Sequence, residues 1–289
     1  MLVLNTLFSS EDIDPSTVLI MRHRPTETTI RKVLPWIVAE RPDLFIAYQQ
    51  IQWPSAEKAM TRAKLLASFI GLRPGKAVFA GIYSIGAASP LTYEGYHSLP
   101  GNVELISLGM NGRQPDAPDQ LRFEMELTPT FSEWIGRLIV KWPPPERAWF
   151  RWAARNQMPV DSILEESIFT PGMPHWADIA LSWAELRLLP TSWRSALAEW
   201  RGVYFIFDVA RRAGYVGSAY GADNLLGRWR AYAQTGHGGN KMLRQSKPDD
   251  LRFSILERTS PDMDSAEVIR LEANWKARLH TREFGLNEN

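Results

Sequence analysis

The side chains able to do chemistry are narrowed first by what the chain lacks. Its 289 residues include no cysteine and only five histidines, His23, His97, His175, His237 and His280. Disulfides, thiolate-bound zinc, cysteine-held iron–sulfur clusters and cysteine nucleophiles are therefore excluded. A metal would sit on oxygen or imidazole, and with so few histidines the default is a hard ion, Mg2+ or Mn2+. Phenol, guanidinium and carboxylate groups are instead gathered near the C-terminus: Tyr204, Tyr215, Arg228, Tyr232 and Glu272, closed by Asn287. Phenols can pass protons, a planar guanidinium can hold an anion, and one carboxylate can serve one hard cation.

The elements that must position these groups are readable from pattern. Residues 202–217 read GVYFIFDVARRAGYVG. Gly202, Val203 and Tyr204 open a strand, Asp208 to Ala213 is the connection, and Gly214 to Gly217 is the return. Such a hairpin brings Tyr204 and Tyr215 onto neighbouring positions of one sheet. Ala222 to Gln234 is predicted helical, with Leu225, Leu226 and Trp229 on its apolar face and Arg228, Arg230 and Tyr232 at polar or amphipathic positions. Gly236 to Asn240, GHGGN, is expected to be a flexible loop able to meet an anion. It is no P-loop, because Gly-Lys-Ser/Thr and a preceding buried strand are missing. Arg252 to Leu256 is a strand. Ser265 to His280 is a helix that places Glu272 and Trp275 three apart on one face.

In this order the residues resemble the GIY-YIG endonuclease family. The first signature is Gly202-Val203-Tyr204 and the second Tyr215-Val216-Gly217, with ten residues between the two tyrosines. The helix arginine of the family matches Arg228, its metal-binding glutamate Glu272, and its terminal asparagine Asn287. Two departures stand out: the loop between Gly217 and Arg228 is a few residues longer than in compact homing-endonuclease members, and Tyr232 stands where some members carry histidine. The similarity covers about residues 200–289. It implies an α/β (α+β) domain, 201–289, with a small antiparallel sheet flanked by helices, and a metal-dependent cut of DNA phosphodiester bonds.

The resemblance also implies roles. Glu272 would hold Mg2+ or Mn2+, Arg228 would grip the scissile phosphate, and Tyr204 is the favoured general base. A phenol of ordinary pKa near 10 is too weakly acidic for that, so a neighbouring Arg or metal charge must favour the phenolate. Tyr215 would orient water or phosphate, Tyr232 would hydrogen-bond in the same cluster, and Asn287 is expected to lock the end of the domain. His237 and Lys241 are further candidates for phosphate contact. Restriction of foreign, modified DNA is the biology expected, and double-strand cleavage would need a homodimer on DNA or sequential nicks. Two alternatives stay open: a catalytically inactive DNA-binding adaptor, and a nuclease for single-stranded DNA or RNA. Glu272 could also pair with Arg270, Lys276 or an arginine across the fold, the usual fate of a helix glutamate.

Residues 1–200 carry no catalytic signature and are expected to recognise substrate or partner. Val18 to Met21 reads as a strand, Thr26 to Glu40 and Ala56 to Ile70 as helices, and Lys76 to Ile85 as a strand. Val103 to Leu108, Leu121 to Leu127 and Trp134 to Trp142 add strand candidates, giving a small β-barrel or curled sheet. A helical section over 146–200 is expected from Ala148 to Asn156, Ser162 to Ser167, Trp176 to Leu189 and Ser192 to Trp200. The barrel and its aromatics, among them Tyr48, Trp53, Tyr83, Tyr93, Tyr96, Trp142, Trp149 and Trp152, are weakly similar to PUA-like or EVE-type modules that hold a flipped or modified base. Gly81-Ile82-Tyr83 imitates a family triplet, but no second triplet follows at the right distance.

Net charge is only +1. Residues 201–289 hold fourteen Lys and Arg against eleven Asp and Glu, so the positive excess lies in the C-terminal part. Ten of the twelve tryptophans precede residue 201, which suggests two regions with different tasks. No secretory signal and no apolar run of membrane-spanning length is visible, so a cytoplasmic protein without a membrane partner is expected.

Overall fold

The computed structural model describes residues 2–221 and 224–288; the expected helix start at Ala222 lies outside them. The architecture is mixed α and β, with two compact units, one ending at Pro171 and the next beginning at Gly172. The expected boundary at residue 200 therefore moves upstream. Residues 180–182 join the second unit's sheet, which is why they cannot belong to an N-terminal domain. With the boundary at 171/172 the tryptophans divide six and six, so their apparent concentration in one region disappears. Among the described residues no helix is long and apolar enough to cross a membrane.

The first unit is built on a curled, mixed sheet of seven strands: β1 (Val18–His23), β2 (Leu65–Arg73), β3 (Lys76–Leu91), β4 (Gln120–Leu127), β5 (Leu138–Lys141), β6 (Phe150–Trp152) and β7 (Val160–Ile163). The path runs β6-β1-β2-β3-β5-β7, with β4 also on β3. β1 and β2 are parallel and the other pairs antiparallel. Among the described residues β6 and β7 do not pair with each other, so the sheet is curled and not a closed barrel. Its core joins Phe8, Val18, Ile20, Phe69, Phe79 and Trp142, all buried. Six helices surround it: α1 (Leu4–Ser10), α2 (Thr28–Glu40), α3 (Pro42–Gln49), α4 (Pro54–Met60), α5 (Tyr93–Ser98) and α6 (Pro100–Ser107).

Several sequence expectations fail here for identifiable reasons. The predicted helix Ala56 to Ile70 is a helix only to Met60, and Leu65 onward is β2. Leu66 to Ile70 is buried throughout, and an apolar run covered on both faces fits helix and strand templates equally. Val103 to Leu108 lies in helix α6, which Pro100 starts at its first turn. Ala148 to Asn156 is β6 and a 3-10 turn, not a helix, because Phe150 to Trp152 pairs with β1 at Leu19 to Met21. Ser162 to Ser167 begins inside β7.

The second unit carries a four-stranded antiparallel sheet of β8 (Ala180–Ser182), β9 (Arg201–Asp208), β10 (Ala213–Ala219) and β11 (Leu251–Thr259). Their order is β10-β9-β11-β8, so β10 is an edge strand. The single helix expected over Trp176 to Leu189 is broken into a 3-10 turn, β8 and helix α7 (Trp183–Arg187). Ser182 and Glu185 form a reciprocal capping box that restarts the chain as helix at Trp183. Helix α8 (Thr191–Glu199) follows, then α9 (Asn224–Thr235) and α10 (Ser265–Arg278).

Candidate functional site

The hairpin register decides how the two signature tyrosines meet. Tyr204 on β9 is opposite Gly217, and Tyr215 on β10 is opposite Ile206. The tyrosines are therefore diagonal neighbours on one face, their ring centroids 6.4 Å apart. Gly217 is needed for this packing. A Cβ there would fall 2.5 Å from the Tyr204 hydroxyl, so the absent side chain is the space the phenol fills. Gly202 answers a different demand, since its φ of +153° accompanies an approach to β11 that would put a Cβ 2.0 Å from the Glu257 carbonyl oxygen.

Helix α9 covers this face. Leu225, Leu226, Trp229 and Tyr232 are its buried side, and Trp229 and Tyr232 both lie against Phe253 of β11. One turn apart, Arg228 and Tyr232 come to the signature tyrosines together. The Tyr204 and Tyr232 hydroxyls are 3.2 Å apart, and the Tyr232 ring is 6.4 Å from that of Tyr215. Arg228 is exposed, yet it acts on the same group: its guanidinium favours ionisation of Tyr204, and the tyrosines hold its own pKa above the ordinary arginine range.

The charge state of Tyr204 differs from expectation. Its side chain is completely buried, and burial together with Tyr215 pushes its pKa up to about 12 despite Arg228 and Tyr232. A buried neutral phenol is the reverse of the phenolate a general base requires. Tyr232 is raised still further, by burial first and then by Tyr204 and Tyr215. Tyr215 is only half-buried, so it is the phenol of the three with access to the surface.

Glu272 approaches from the other side. Helix α10 packs on β10 and β9, and its Trp275 donates to Glu257, 2.7 Å away, on the sheet face opposite to α9. The Ser218 hydroxyl donates to Glu272 Oε2. Ser218 immediately follows Gly217, and strand alternation turns it away from Tyr204. Tyrosine group and carboxylate thus meet adjacent residues of an edge strand, Gly217 and Ser218, from its two faces. Lys276 Nζ lies 2.8 Å from Glu272 Oε1, an i,i+4 ion pair with both side chains largely covered. Ser218 gave no sequence signal beyond adjacency to the second triplet, whereas the Lys276 pairing was legible in helical spacing.

Two of the remaining sequence candidates, Asn287 and His237, make local structural contacts. Asn287 closes a two-bond clasp on Val216, accepting from its N–H and donating to its carbonyl, each at 2.9 Å. The GHGGN segment is a pinned turn and not a free loop. Gly236, Gly238 and Gly239 all have positive φ, and a Cβ on Gly238 would lie 2.6 Å from the Tyr232 ring. His237 Nδ1 accepts from the Gly239 N–H at 3.0 Å, and Lys241 is exposed. Gly81-Ile82-Tyr83 is core, its Tyr83 donating to the Ala80 carbonyl.

For a divalent ion the donor set fits in kind. Among the described residues no group of three or more His, Cys, Asp or Glu could hold a metal, so an ion here would rest on Glu272 with water and phosphate as its other ligands. Compared with family models, curated proteins and solved structures, the chain matches none.

Proposed function

We propose that the second unit is a metal-dependent endonuclease that hydrolyses DNA phosphodiester bonds, of the GIY-YIG kind its residues resemble. The observation that carries this is the gathering of Tyr215, Tyr232 and Arg228 around Tyr204, which lies over Gly217, with Glu272 anchored to the adjoining Ser218. Tyr204 packs on Gly217 and Glu272 is bonded to Ser218, the next residue of the same edge strand. A phosphate lying along that edge could meet both faces.

In this site Arg228 binds the scissile phosphate, its exposed fork supplying charge-assisted hydrogen bonds. Tyr204 and Tyr232, buried and neutral, set the position of that guanidinium. Tyr215, nearer the surface, orients the attacking water. Glu272 would hold Mg2+ or Mn2+, and the ion, when bound, supplies positive charge for the developing phosphorane and a more acidic water. Arg230, Lys241 and Arg244 are exposed on or just after α9 and add the sequence-independent attraction a polyanion needs.

Plasmid nicking with Mg2+ or Mn2+, comparing wild type with Glu272→Ala, tests this. Cleavage by the wild type alone supports it; failure of the wild type to cut any DNA form overturns it. The Lys276 ammonium on Glu272 favours a second reading, a catalytically silent DNA-binding module. Binding without nicking at any divalent concentration would select that one. A panel of single-stranded DNA and RNA separates substrate classes, and the mass of the complex on DNA shows whether two copies act together.

A further inference from the structure

Helix α10 carries Glu272, yet little apolar packing fixes its rotation. Val268 is its one buried residue, and the same stripe continues at i+4 and i+7 through the half-buried Glu272 and Trp275. A helix seated on so narrow an apolar stripe depends on polar tethers for its rotation about its own axis.

Two side-chain bonds act as those tethers. The Ser218 hydroxyl on β10 donates to Glu272, and Trp275 Nε1 donates to Glu257 Oε2 on β11 at 2.7 Å. The sheet register puts both partners in one row. Ser218 and Glu257 each face Val203 of the intervening strand β9, one on either side of it. Two strand spacings place these anchors about 10 Å apart. Bonds that far apart brace a helix against rolling, which a single bond does not.

Glu257 reaches this face through an irregularity in β11. Between Ile255 and Glu257 the register with β9 slips, so that Ile255 faces Tyr204 and Glu257 faces Val203. In regular pairing Leu256 would face Val203, and Glu257 would point with Ile255 to the α9 side. The bulge re-aims Glu257 toward α10. The same passage of chain brings the Glu257 carbonyl against Gly202, where a Cβ would lie 2.0 Å from its oxygen. The glycine that opens the first triplet and the acceptor that holds Trp275 are thus two results of one bulge.

We infer that Glu257 is a positioning residue: acting through Trp275, it sets the rotation of α10 and with it the place at which the Glu272 carboxylate meets a divalent ion. The ion in this statement rests on the nuclease reading; the placement of Glu272 by Glu257 does not. Glu257 holds the indole and leaves the ion to Glu272.

The test uses the full chain and two readouts. Without metal, the 13C resonance of the Glu272 carboxylate, assigned by its loss in Glu272→Ala, reports the bond from Ser218. It should move in Glu257→Ala and in Trp275→Phe, and keep its wild-type position in Glu257→Gln, whose amide oxygen still accepts from the indole. With Mn2+ and no DNA, ion uptake measured by electron paramagnetic resonance, less that of Glu272→Ala, should weaken roughly tenfold in Glu257→Ala and Trp275→Phe but not in Glu257→Gln. The Glu257→Ala, Trp275→Phe double variant should lose no more than either single one. Trp275→Phe keeps a ring beside Arg278, whose guanidinium lies 4.2 Å from the indole centre, so it preserves the packing even if Glu257→Ala does not fold. An unmoved Glu272 resonance in the folded variants would overturn the inference. So would Mn2+ binding weakened as much in Glu257→Gln as in Glu257→Ala, since the charge of Glu257 and not its bond would then be the agent. A resonance that moves as expected while the wild type takes up no Mn2+ would keep Glu257 as the residue that places Glu272 and would count against the nuclease reading alone.

Discussion

Lys276 holds Glu272 Oε1 at 2.8 Å, on the carboxylate that the sequence motif gives to a divalent ion. Ammonium and ion would compete for one oxygen. Replacing Lys276 by Met should therefore lower the Mg2+ concentration for half-maximal nicking, by roughly threefold to tenfold, since a partly buried pair of this kind is worth on the order of 1 kcal/mol. Glu272→Ala should leave no activity at any Mg2+ concentration. A Mg2+ titration of the three proteins reads both effects. An unchanged midpoint in Lys276→Met would mean that the pair persists beside the ion.

Tyr204 and Tyr215 should separate kinetically. Because Tyr204 retains its proton to about pH 12, Tyr204→Phe should leave the shape of the pH–rate profile between pH 6 and 9 unchanged while lowering the rate through misplacement of Arg228. Tyr215→Phe removes the phenol nearest the surface and should cost roughly 10²-fold to 10⁴-fold. The same shift predicts alkaline behaviour. Above pH 10 the unfolded chain loses the Tyr204 proton while the folded one keeps it, so this residue makes stability fall as pH rises from 10 toward 12 and has no effect below.

Asn287→Ala should destabilise the second unit by roughly 2–4 kcal/mol in urea unfolding, because both the N–H and the carbonyl of buried Val216 lose their side-chain partner. Gly238→Ala should cost about 2 kcal/mol or more, since its φ of +54° and the 2.6 Å approach to Tyr232 both oppose a methyl group. The Gly238 variant should also disturb nicking by moving Tyr232. Asn287→Asp, which keeps the acceptor and loses the donor, should fall between wild type and Ala.

What the sequence revealed of the fold depended on how local the determining contact was. The Tyr204–Tyr215 hairpin, helix α9 and helix α10 were legible because a short turn and a single apolar face specify each of them. Leu65 to Ile70 was read as helix because an apolar run buried on both faces suits either template, and its pairing with β1 at Val18↔Leu65, 47 positions earlier, and with β3 fixes it as strand only in the fold. Ala180 to Ser182 became β8 only by pairing with Ser254 to Arg252, which is also why the domain boundary fell in the wrong place. In the site, residue types and order announced Tyr204, Arg228 and Glu272, but not that burial would keep Tyr204 neutral or that Ser218 would hold the carboxylate. Least legible was a cavity of the first unit, since Arg22, Tyr48, Arg113 and Trp149 on its walls share no spacing and meet only when the sheet curls.

His23 bears on the stability of the first unit. Burial lowers its pKa to about 4 from the ordinary 6.5, with Gln49 opposing only in part. Above pH 6.5 neither folded nor unfolded chain carries the proton, and His23 imposes no penalty. Between pH 6.5 and 4 the unfolded chain binds a proton that the folded one refuses, so stability falls as pH falls, by up to roughly 3 kcal/mol in total. Urea unfolding of the full chain at pH 7, 5.5 and 4 should show this loss in the wild type. His23→Phe, similar in size and unable to titrate, should lose less over the same interval, the difference cancelling the carboxylates that both proteins share. Parallel loss in the two proteins would mean that the imidazole takes up its proton inside the fold as readily as in the unfolded chain.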